Sequence, residues 1–395
     1  MRRRAASLLC IAFVLCLASC VSPRPLRETS PVRIGFFADL SATGATEGTD
    51  ALKGSELRVA EVNASGGIGG RQIELIIQDT KESPAEAVKA YTQLVQEDGV
   101  SVVIGSSAAA SLTAVGPVAE LSHVPLLSLG MDDRVAIPEV NAENTEQAGK
   151  PRAFTFLVRA SAMQTAQGLA WYVAERSALK RVATLYDPVD PVCVLQARAF
   201  EEALRQAGRT VAVSVPLPAG DLSEAVKTIG GANADAVYVC ASEEADVSVA
   251  RTVRQLLPQV MLLGNESWYP TLASLAGTAA NAAWFSLPFS PNDPAVRDIA
   301  SAFAARFGDV PRPAAVAGWD AVGVVMAAVR KAGSSSPASV RDALEQAAGF
   351  KTLQGQLDMD PRTHRPLSPY VAIMQIAGGS YRTVDARYRH RPSRS

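Results

Sequence analysis

The chain has 395 residues, a formal net charge of −1 and 48% hydrophobic residues. At about 150 residues per domain, this length allows two to three domains and a large buried core. The near-zero charge argues against nucleic acid as a partner, because nucleic-acid-binding surfaces leave a basic footprint. The charged and aromatic shares, 19% and 6%, are ordinary for a soluble globular protein.

The first twenty residues have the pattern of an export signal. Three arginines at positions 2–4 precede an uncharged apolar run over residues 5–18, which is shorter than the ~20 apolar residues of a comfortable membrane span. The run ends in LASC at residues 17–20, which resembles the bacterial lipobox, whose Cys is lipidated and becomes the new N-terminus. We therefore expect a lipoprotein signal over residues 1–20, with lipidation at Cys20; a plain signal with an accidental Cys is the alternative.

The expected signal is followed by a Pro- and Ser-rich stretch without periodicity over residues 21–31. This composition is typical of a tether between a membrane and a folded domain. We expect the protein on the extracytoplasmic face of the membrane, either in a periplasm or on the outer surface. Cys193 and Cys240, which lie just after or at the end of apolar runs, form a disulfide or remain two buried thiols.

Apolar runs that are typical of buried strands alternate with helix-period segments along the rest of the chain. Continuous apolar strands separated by helices predict parallel α/β sheets. The predicted strands are residues 32–38, 73–78, 100–104, 124–128, 181–186, 210–216, 236–240, 261–263 and 283–287.

A polar stretch without a clear period, residues 139–152, divides these strands into two groups of similar size. This division predicts two sheets of similar build rather than one. Near the C-terminus, residues 356–359 and 370–376 are expected to form paired strands with a turn at Asp360-Pro361. Residues 386–395 are expected to be a disordered basic tail.

Catalytic machinery is hard to find in the sequence. The three histidines, His123, His364 and His390, do not pair with each other or with Cys at metal-ligand spacing. No CxxC, nucleophile elbow or phosphate loop is present. The glycine run at 66–70 follows a predicted helix and precedes a strand, the reverse of a dinucleotide loop. We therefore expect a binding protein, not an enzyme, without a metal or cofactor.

Several stretches, in this order, resemble a known family. They are KGSELRVAEVNASGGIGGRQIELIIQD (53–79), VVIGSSAAASLTAVGPVAEL (102–121), VPLLSL (124–129), FTFLVRAS (154–161), RVATLYD (181–187), GWDAVGVVMAAVRKAG (318–333) and LQGQLDMD (353–360). Their order resembles that of the bacterial solute-binding proteins of the leucine/isoleucine/valine-binding type, which are type I periplasmic binding proteins that feed ABC importers.

The resemblance implies two doubly wound, parallel-sheet α/β lobes joined by a three-strand hinge. It places residues 32–152 and 281–353 in lobe one, and residues 153–280 and 354–385 in lobe two. A small ligand would bind between the lobes, which close over it. The implied partners are an amino acid or similar small molecule and an ABC permease, with the protein itself a monomer.

The resemblance also implies where lobe one would hold a ligand carboxylate. One loop, residues 105–111, offers Ser106, Ser107 and Ser111 around Ala109, which occupies the family's Ser position. The loop after the fourth strand offers Met131 and Asp132, where the family has a Thr. An ionised Asp132 would repel a carboxylate at close range, and Arg134 could offset it.

In lobe two the resemblance implies that Glu266 receives the ligand ammonium; capping of the next helix or simple solvation is the alternative. Trp268 would either wall the pocket or pack in the core. Positions where the family has pocket aromatics fall near Glu47, Pro191 and Ser242. If several acids point inward, a cationic or polyhydroxylated ligand is favoured over leucine.

Three functions remain open at this point. The first is the substrate-binding lipoprotein of an ABC importer for an amino acid or related polar molecule. The second is a binding protein of the same fold that signals to a membrane receptor. The third is an enzyme or a cell-wall regulator on the same scaffold.

Overall fold

A computed structural model describes residues 30–42, 45–141 and 149–390. The expected signal with Cys20 and nearly all of the tether lie outside the described residues, as do residues 391–395 of the expected tail. The predictions on lipidation and tethering therefore stay predictions.

Lobe one is built around a five-stranded parallel sheet with the strand order β2-β1-β3-β4-β5. Four of its strands were predicted, and the three-residue β5 was not. The first elements of the lobe are β1 (Val32–Ala38), α1 (Thr46–Ala64), β2 (Ile73–Asp79), α2 (Pro84–Gln96), β3 (Val102–Gly105), α3 (Ala109–Ser122), β4 (Leu126–Ser128) and β5 (Thr155–Leu157).

Lobe two has a seven-stranded sheet with the order β16-β15-β10-β9-β8-β6-β7, in which the two C-terminal strands are antiparallel to their neighbours. The chain first builds the parallel part of this sheet. Its elements are α4 (Ala162–Arg176), β6 (Arg181–Tyr186), α5 (Pro191–Gln206), β7 (Thr210–Pro216), α6 (Leu222–Gly231), β8 (Ala236–Cys240), α7 (Glu243–Leu256), β9 (Met261–Gly264), α8 (Leu272–Ala276) and β10 (Trp284–Leu287).

The chain then returns to lobe one and finally re-enters lobe two. The returning elements are α9 (Pro294–Phe307), α10 (Pro313–Ala332), α11 (Pro337–Glu345), β11 (Phe350–Thr352), β12 (Gly355–Leu357), β13 (Met359–Asp360) and β14 (Arg365–Pro366), and the last two strands are β15 (Val371–Ala377) and β16 (Ser380–Tyr388). The chain crosses between the lobes three times, as predicted, near residues 158–161, 288–293 and 367–370, and none of these segments is a β-strand.

Helices α1 and α10 pack so closely that glycine is required at their contact. A Cβ added to Gly54 would lie 1.9 Å from the carbonyl oxygen of Ala315, and one added to Gly318 would lie 2.0 Å from that of Ala51. By length and composition α10 could span a membrane, yet most of it is buried here. It therefore serves as a core helix of lobe one.

The C-terminal region differs from the sequence prediction. Strand β12 pairs with β11, and β15 pairs with β10 and β16, so the predicted pairing of residues 356–359 with 370–376 is wrong. An apolar run shows that a strand exists but does not identify its partner. Residues 386–388, expected to be disordered, belong to β16.

The points at which the chain crosses between lobes also differ from the expected boundaries. Strand β10 hydrogen-bonds to β9 and β15, so the return to lobe one follows Leu287 rather than residue 280. Leu357 and Met359 lie in the core of lobe one, and the amide of Leu157 donates to the carbonyl of His364 (2.9 Å). The β12–β14 segment therefore belongs to lobe one, and the last crossing follows Pro366.

The lobes touch on one side of the hinge. Met163 and Leu195 of lobe two share an apolar cluster with Val135 of lobe one. The amide of Ala162, at the start of α4, donates to the carbonyl of Met131 (2.8 Å). These contacts bring the loop after β4 to the starts of α4 and α5. We take the space between the carboxyl edges of the two sheets as the candidate cleft.

Candidate ligand-binding cleft

The lobe-one wall of the cleft begins with the loop after β3. Its buried Ser106 shapes the loop, because its hydroxyl oxygen accepts from the amide of Ala108 (2.9 Å). The hydroxyl of Ser107 donates to the carboxylate of Glu47 (2.7 Å), which lies in the first turn of α1. The structure thus brings Ser107 and Glu47 together, two residues sixty positions apart.

The remaining loop residues lie at the start of α3. Ala109 is the first residue of the helix, half-buried, and Ser111 is buried one turn in. No side-chain cap closes this helix N-terminus, since its N-cap residue is Ala108. Ala109 and Ser111 therefore lie beside Ser106 and Ser107, as the family resemblance implied.

The loop after β4 neutralises its own acid. The Asp132 carboxylate, which is 4% exposed, receives the Arg134 guanidinium (Nη2–Oδ2 2.6 Å) and the Arg134 amide (3.0 Å). Arg134 thus offsets the charge that would repel a carboxylate. The half-buried Met131 has its sulfur against the guanidinium of Arg159.

In lobe two, Glu266 lies directly after β9 and is held by a buried polar network. Its carboxylate accepts from Gln196 Nε2 (3.0 and 3.2 Å) and from the Thr165 hydroxyl (3.5 Å). Gln196 and Thr165 are both fully buried. Burial raises the pKa of Glu266, and the nearby positive charge of Arg159 only partly opposes this effect. Among the described residues, Glu266 has hydrogen-bond partners but no ion-pair partner.

The structure does not bring Trp268 or Ser242 to Glu266. The Trp268 indole is 1% exposed and packs in the lobe-two core, lying over Gly264 and 6.2 Å from the Phe285 ring between centroids. Ser242 is exposed and caps α7. Of the alternatives for Trp268, the structure therefore shows core packing.

Cys193 and Cys240 are joined in a disulfide with a Cα–Cα distance of 5.3 Å. This bond ties the first turn of α5 to the end of β8. Gln196 follows Cys193 by one helical turn, so the disulfide anchors the part of α5 that holds Glu266. The sequence left this pairing open, and the role of Gln196 was missed because a lone Gln in an amphipathic helix carries no signal.

Sequence reasoning also missed Arg159, which lies on the first crossing between the lobes. Its Nε is buried and has no hydrogen-bond partner in the part of the chain that the structure describes. The carboxylates that act on it electrostatically are Glu266, Glu47 and Asp320, while burial lowers its pKa. A charged residue inside the apolar stretch FTFLVRAS was the available signal.

Comparison with known proteins fits this geometry. A family model described as "Periplasmic binding protein" matches residues 31–380. The chain belongs to this family. The predicted family and fold class are thereby confirmed: the chain is a type I periplasmic binding protein with two α/β lobes.

Two curated relatives and one solved structure illustrate the family. The "Leucine-, isoleucine-, valine-, threonine-, and alanine-binding protein" of Pseudomonas aeruginosa is 24% identical over 337 residues, 84% of this chain and 86% of the relative. "Leu/Ile/Val-binding protein homolog 3" of Brucella melitensis is 27% identical, covering 82% and 86%. The isoleucine complex of LivJ, a branched-chain amino acid transporter substrate binding protein from Streptococcus pneumoniae, has a TM-score of 0.72 at 23% identity, covering 92% of this chain and all of that one. At this identity the structural likeness establishes the fold of this periplasmic binding protein.

Proposed function

We propose that the protein is the extracytoplasmic solute-binding component of an ABC importer and that it clamps an amino acid, or a related small polar molecule, between its lobes. Membership of the periplasmic binding protein family supports the binding role. The names of the relatives, which bind leucine, isoleucine and valine among others, support an amino acid as the class of ligand.

The observation that carries this proposal is the state of Glu266. A carboxylate withdrawn from water without an ion-pair partner is costly to keep ionised. Glu266 is nevertheless held at the carboxyl edge of the lobe-two sheet by donors from Gln196 and Thr165. An ammonium group placed in the cleft would supply the missing cation through a charge-assisted hydrogen bond. Glu266 is therefore the proposed ammonium site.

The lobe-one loops complete the proposed site. Ser106, Ser107, Ala109 and Ser111 border it on one side, and Met131 with Asp132 on the other, at the carboxyl edge where open α/β sheets bind ligands. Trp268 packs in the lobe-two core and Ser242 caps α7, so neither is part of the proposed site.

We also propose lipidation at Cys20, which would hold the protein on the extracytoplasmic face. Metabolic labelling with a fatty acid should mark the wild-type protein and leave Cys20→Ala unlabelled. Release of the variant from the membrane fraction would support anchoring, and labelling that persists in the variant would refute this site.

Isothermal titration calorimetry and thermal-shift measurements with the common amino acids, their amides and polyamines test the binding role. We expect at least one amino acid to bind and to raise the melting temperature; at 100 times its dissociation constant, a ligand stabilises the fold by about 2.7 kcal/mol. The bound amino acid should be recovered unchanged. Turnover of the compound would favour an enzyme, and the absence of binding by any amino acid would refute the proposal.

A deletion strain then tests the importer role. Cells lacking the protein should lose uptake of the amino acid that binds it, and the wild-type gene should restore uptake. Unchanged uptake together with a lost transcriptional or chemotactic response would favour the sensing alternative.

A further inference from the structure

Arg159 is a cation on the first crossing segment between the lobes. Among the described residues, its buried Nε has no hydrogen-bond partner, and its Nη2 lies against the sulfur of Met131. In the described part of the chain its guanidinium forms no ion pair, although three carboxylates act on it at longer range. A buried guanidinium without an anion is costly, so a bound anion would offset this cost.

Each carboxylate near Arg159 is already committed to other groups. Glu266 accepts a hydrogen bond from Gln196 Nε2, and Glu47 accepts one from the Ser107 hydroxyl. Asp320 accepts from the amide of Leu353 (2.6 Å) and from Gln354 Nε2 (2.8 Å). None of the three is therefore free to move onto the guanidinium without losing its own hydrogen bonds.

The charges around the cleft also define what the ligand must carry. Arg159 contributes one positive charge, and Glu266 and Glu47 contribute two negative charges from opposite lobes. Asp132 and Arg134 cancel each other in their ion pair. The formal sum over Arg159, Glu266 and Glu47 is −1, and Asp320 only adds to the negative potential. Electrostatic complementarity therefore favours a ligand with a net positive charge.

We propose that the cleft takes a basic amino acid, with its carboxylate on Arg159, its α-ammonium on Glu266 and its side-chain cation toward Glu47. This inference rests on the proposed function, since it names the class of amino acid. Arg159 and Glu47 act as specificity-determining residues. Arg159 requires a carboxylate, and the exposed Glu47, oriented by Ser107, distinguishes a side-chain cation from an apolar side chain.

Calorimetric titration of the wild-type protein with L-lysine, L-norleucine and L-lysinamide tests the ligand class. Norleucine has the lysine chain without its terminal amine, and lysinamide lacks the carboxylate. We expect lysine to bind at least tenfold more tightly than either compound, because each loses one charge-assisted interaction. If norleucine or leucine binds as tightly as lysine, the inference is overturned while the proposed function stands. If no amino acid binds, both fail.

Variants then assign the charges. Glu47→Gln should weaken the binding of lysine at least tenfold and leave the binding of norleucine unchanged. The matched control is Glu97→Gln, which changes an exposed acid at the end of α2. Arg159→Gln should weaken the binding of lysine at least tenfold and leave the binding of lysinamide unchanged. Arg159→Lys should restore part of the affinity for lysine. If Arg159→Gln weakens the binding of lysine and of lysinamide equally, Arg159 has only a structural role and the carboxylate assignment is wrong. If that variant does not fold, the titration of the wild-type protein with lysinamide decides the same point.

Discussion

Replacing Glu266 by Gln removes the charge of the proposed ammonium site and keeps nearly the same shape. A charge-assisted hydrogen bond contributes about 1.5–3 kcal/mol to binding. Its loss corresponds to a dissociation constant that is roughly 10- to 150-fold larger. In the wild type, Gln196 donates to the Glu266 carboxylate, and the amide oxygen of the substituted Gln can still accept one hydrogen bond from it. We therefore expect a large effect on binding without a rearranged site.

The stability of the ligand-free protein should respond differently. Burial raises the pKa of Glu266 above its ordinary value of 4.5. The contribution of this group to stability is therefore fully present below pH 4.5 and is lost as the pH rises through the shifted pKa. At neutral pH, Glu266→Gln should leave the melting temperature unchanged or raise it.

Calorimetry with the tightest-binding amino acid separates the effect on binding from the effect on stability. It is run on Glu266→Gln and on the surface control Glu224→Gln. Glu224 lies exposed on α6, where it pairs with Lys227. The control should bind like the wild type. Equal affinity of Glu266→Gln and the wild type would refute the ammonium assignment, and a matching loss in both variants would show a non-specific charge effect.

Three further predictions concern the scaffold. Burial raises the pKa of Asp246 from 3.8 to about 7, so its contribution to stability should fall by up to about 4 kcal/mol as the pH rises between these values. Urea denaturation across this range should show a flatter dependence for Asp246→Asn than for the wild type; identical slopes would contradict the shift. Reducing the Cys193–Cys240 disulfide should lower the free energy of unfolding by about 2–4 kcal/mol, and denaturation unaffected by reductant would indicate thiols that are not bonded. Gly318→Ala should push α10 away from the backbone of α1 and lower the free energy of unfolding by about 1–3 kcal/mol. Gly231→Ala, whose added methyl group meets open space, serves as the control. Equal stability of the two variants would mean that the helices can separate freely.

The strands of the sheets could be predicted from the sequence because burial on both faces gives a continuous apolar run. Strands such as Val32–Ala38 and Arg181–Tyr186 match their predictions at both ends. Of the two- and three-residue strands between 350 and 366, β12 and β13 fall at residues 356–359, which were predicted as one strand, whereas β11 and β14 were not predicted because they are too short to show a period. Their partners are fixed by tertiary contacts, and for that reason the predicted pairing near the C-terminus was wrong.

The site was predictable only where a residue contrasted with its local sequence. Glu266 stood out because a charge directly follows an apolar run. Arg159 also contrasts with its apolar stretch, but that signal was not used. Gln196 did not stand out, because what distinguishes it is burial among groups distant in the chain. Gln196 lies 70 positions from Glu266, and no local pattern connects them.

The orientation of Gln196 explains how lobe two keeps a carboxylate without a cation. Asn265 Nδ2 donates to Gln196 Oε1 (2.6 Å), which leaves the amide nitrogen of Gln196 to face Glu266. The disulfide fixes the same turn of α5. The carboxylate is therefore held in place by neutral donors, which position it but do not neutralise it, as its raised pKa indicates. A cation of the chain itself would fill this position, so the absence of an ion pair at Glu266 within the described residues is consistent with its proposed role as the ammonium site.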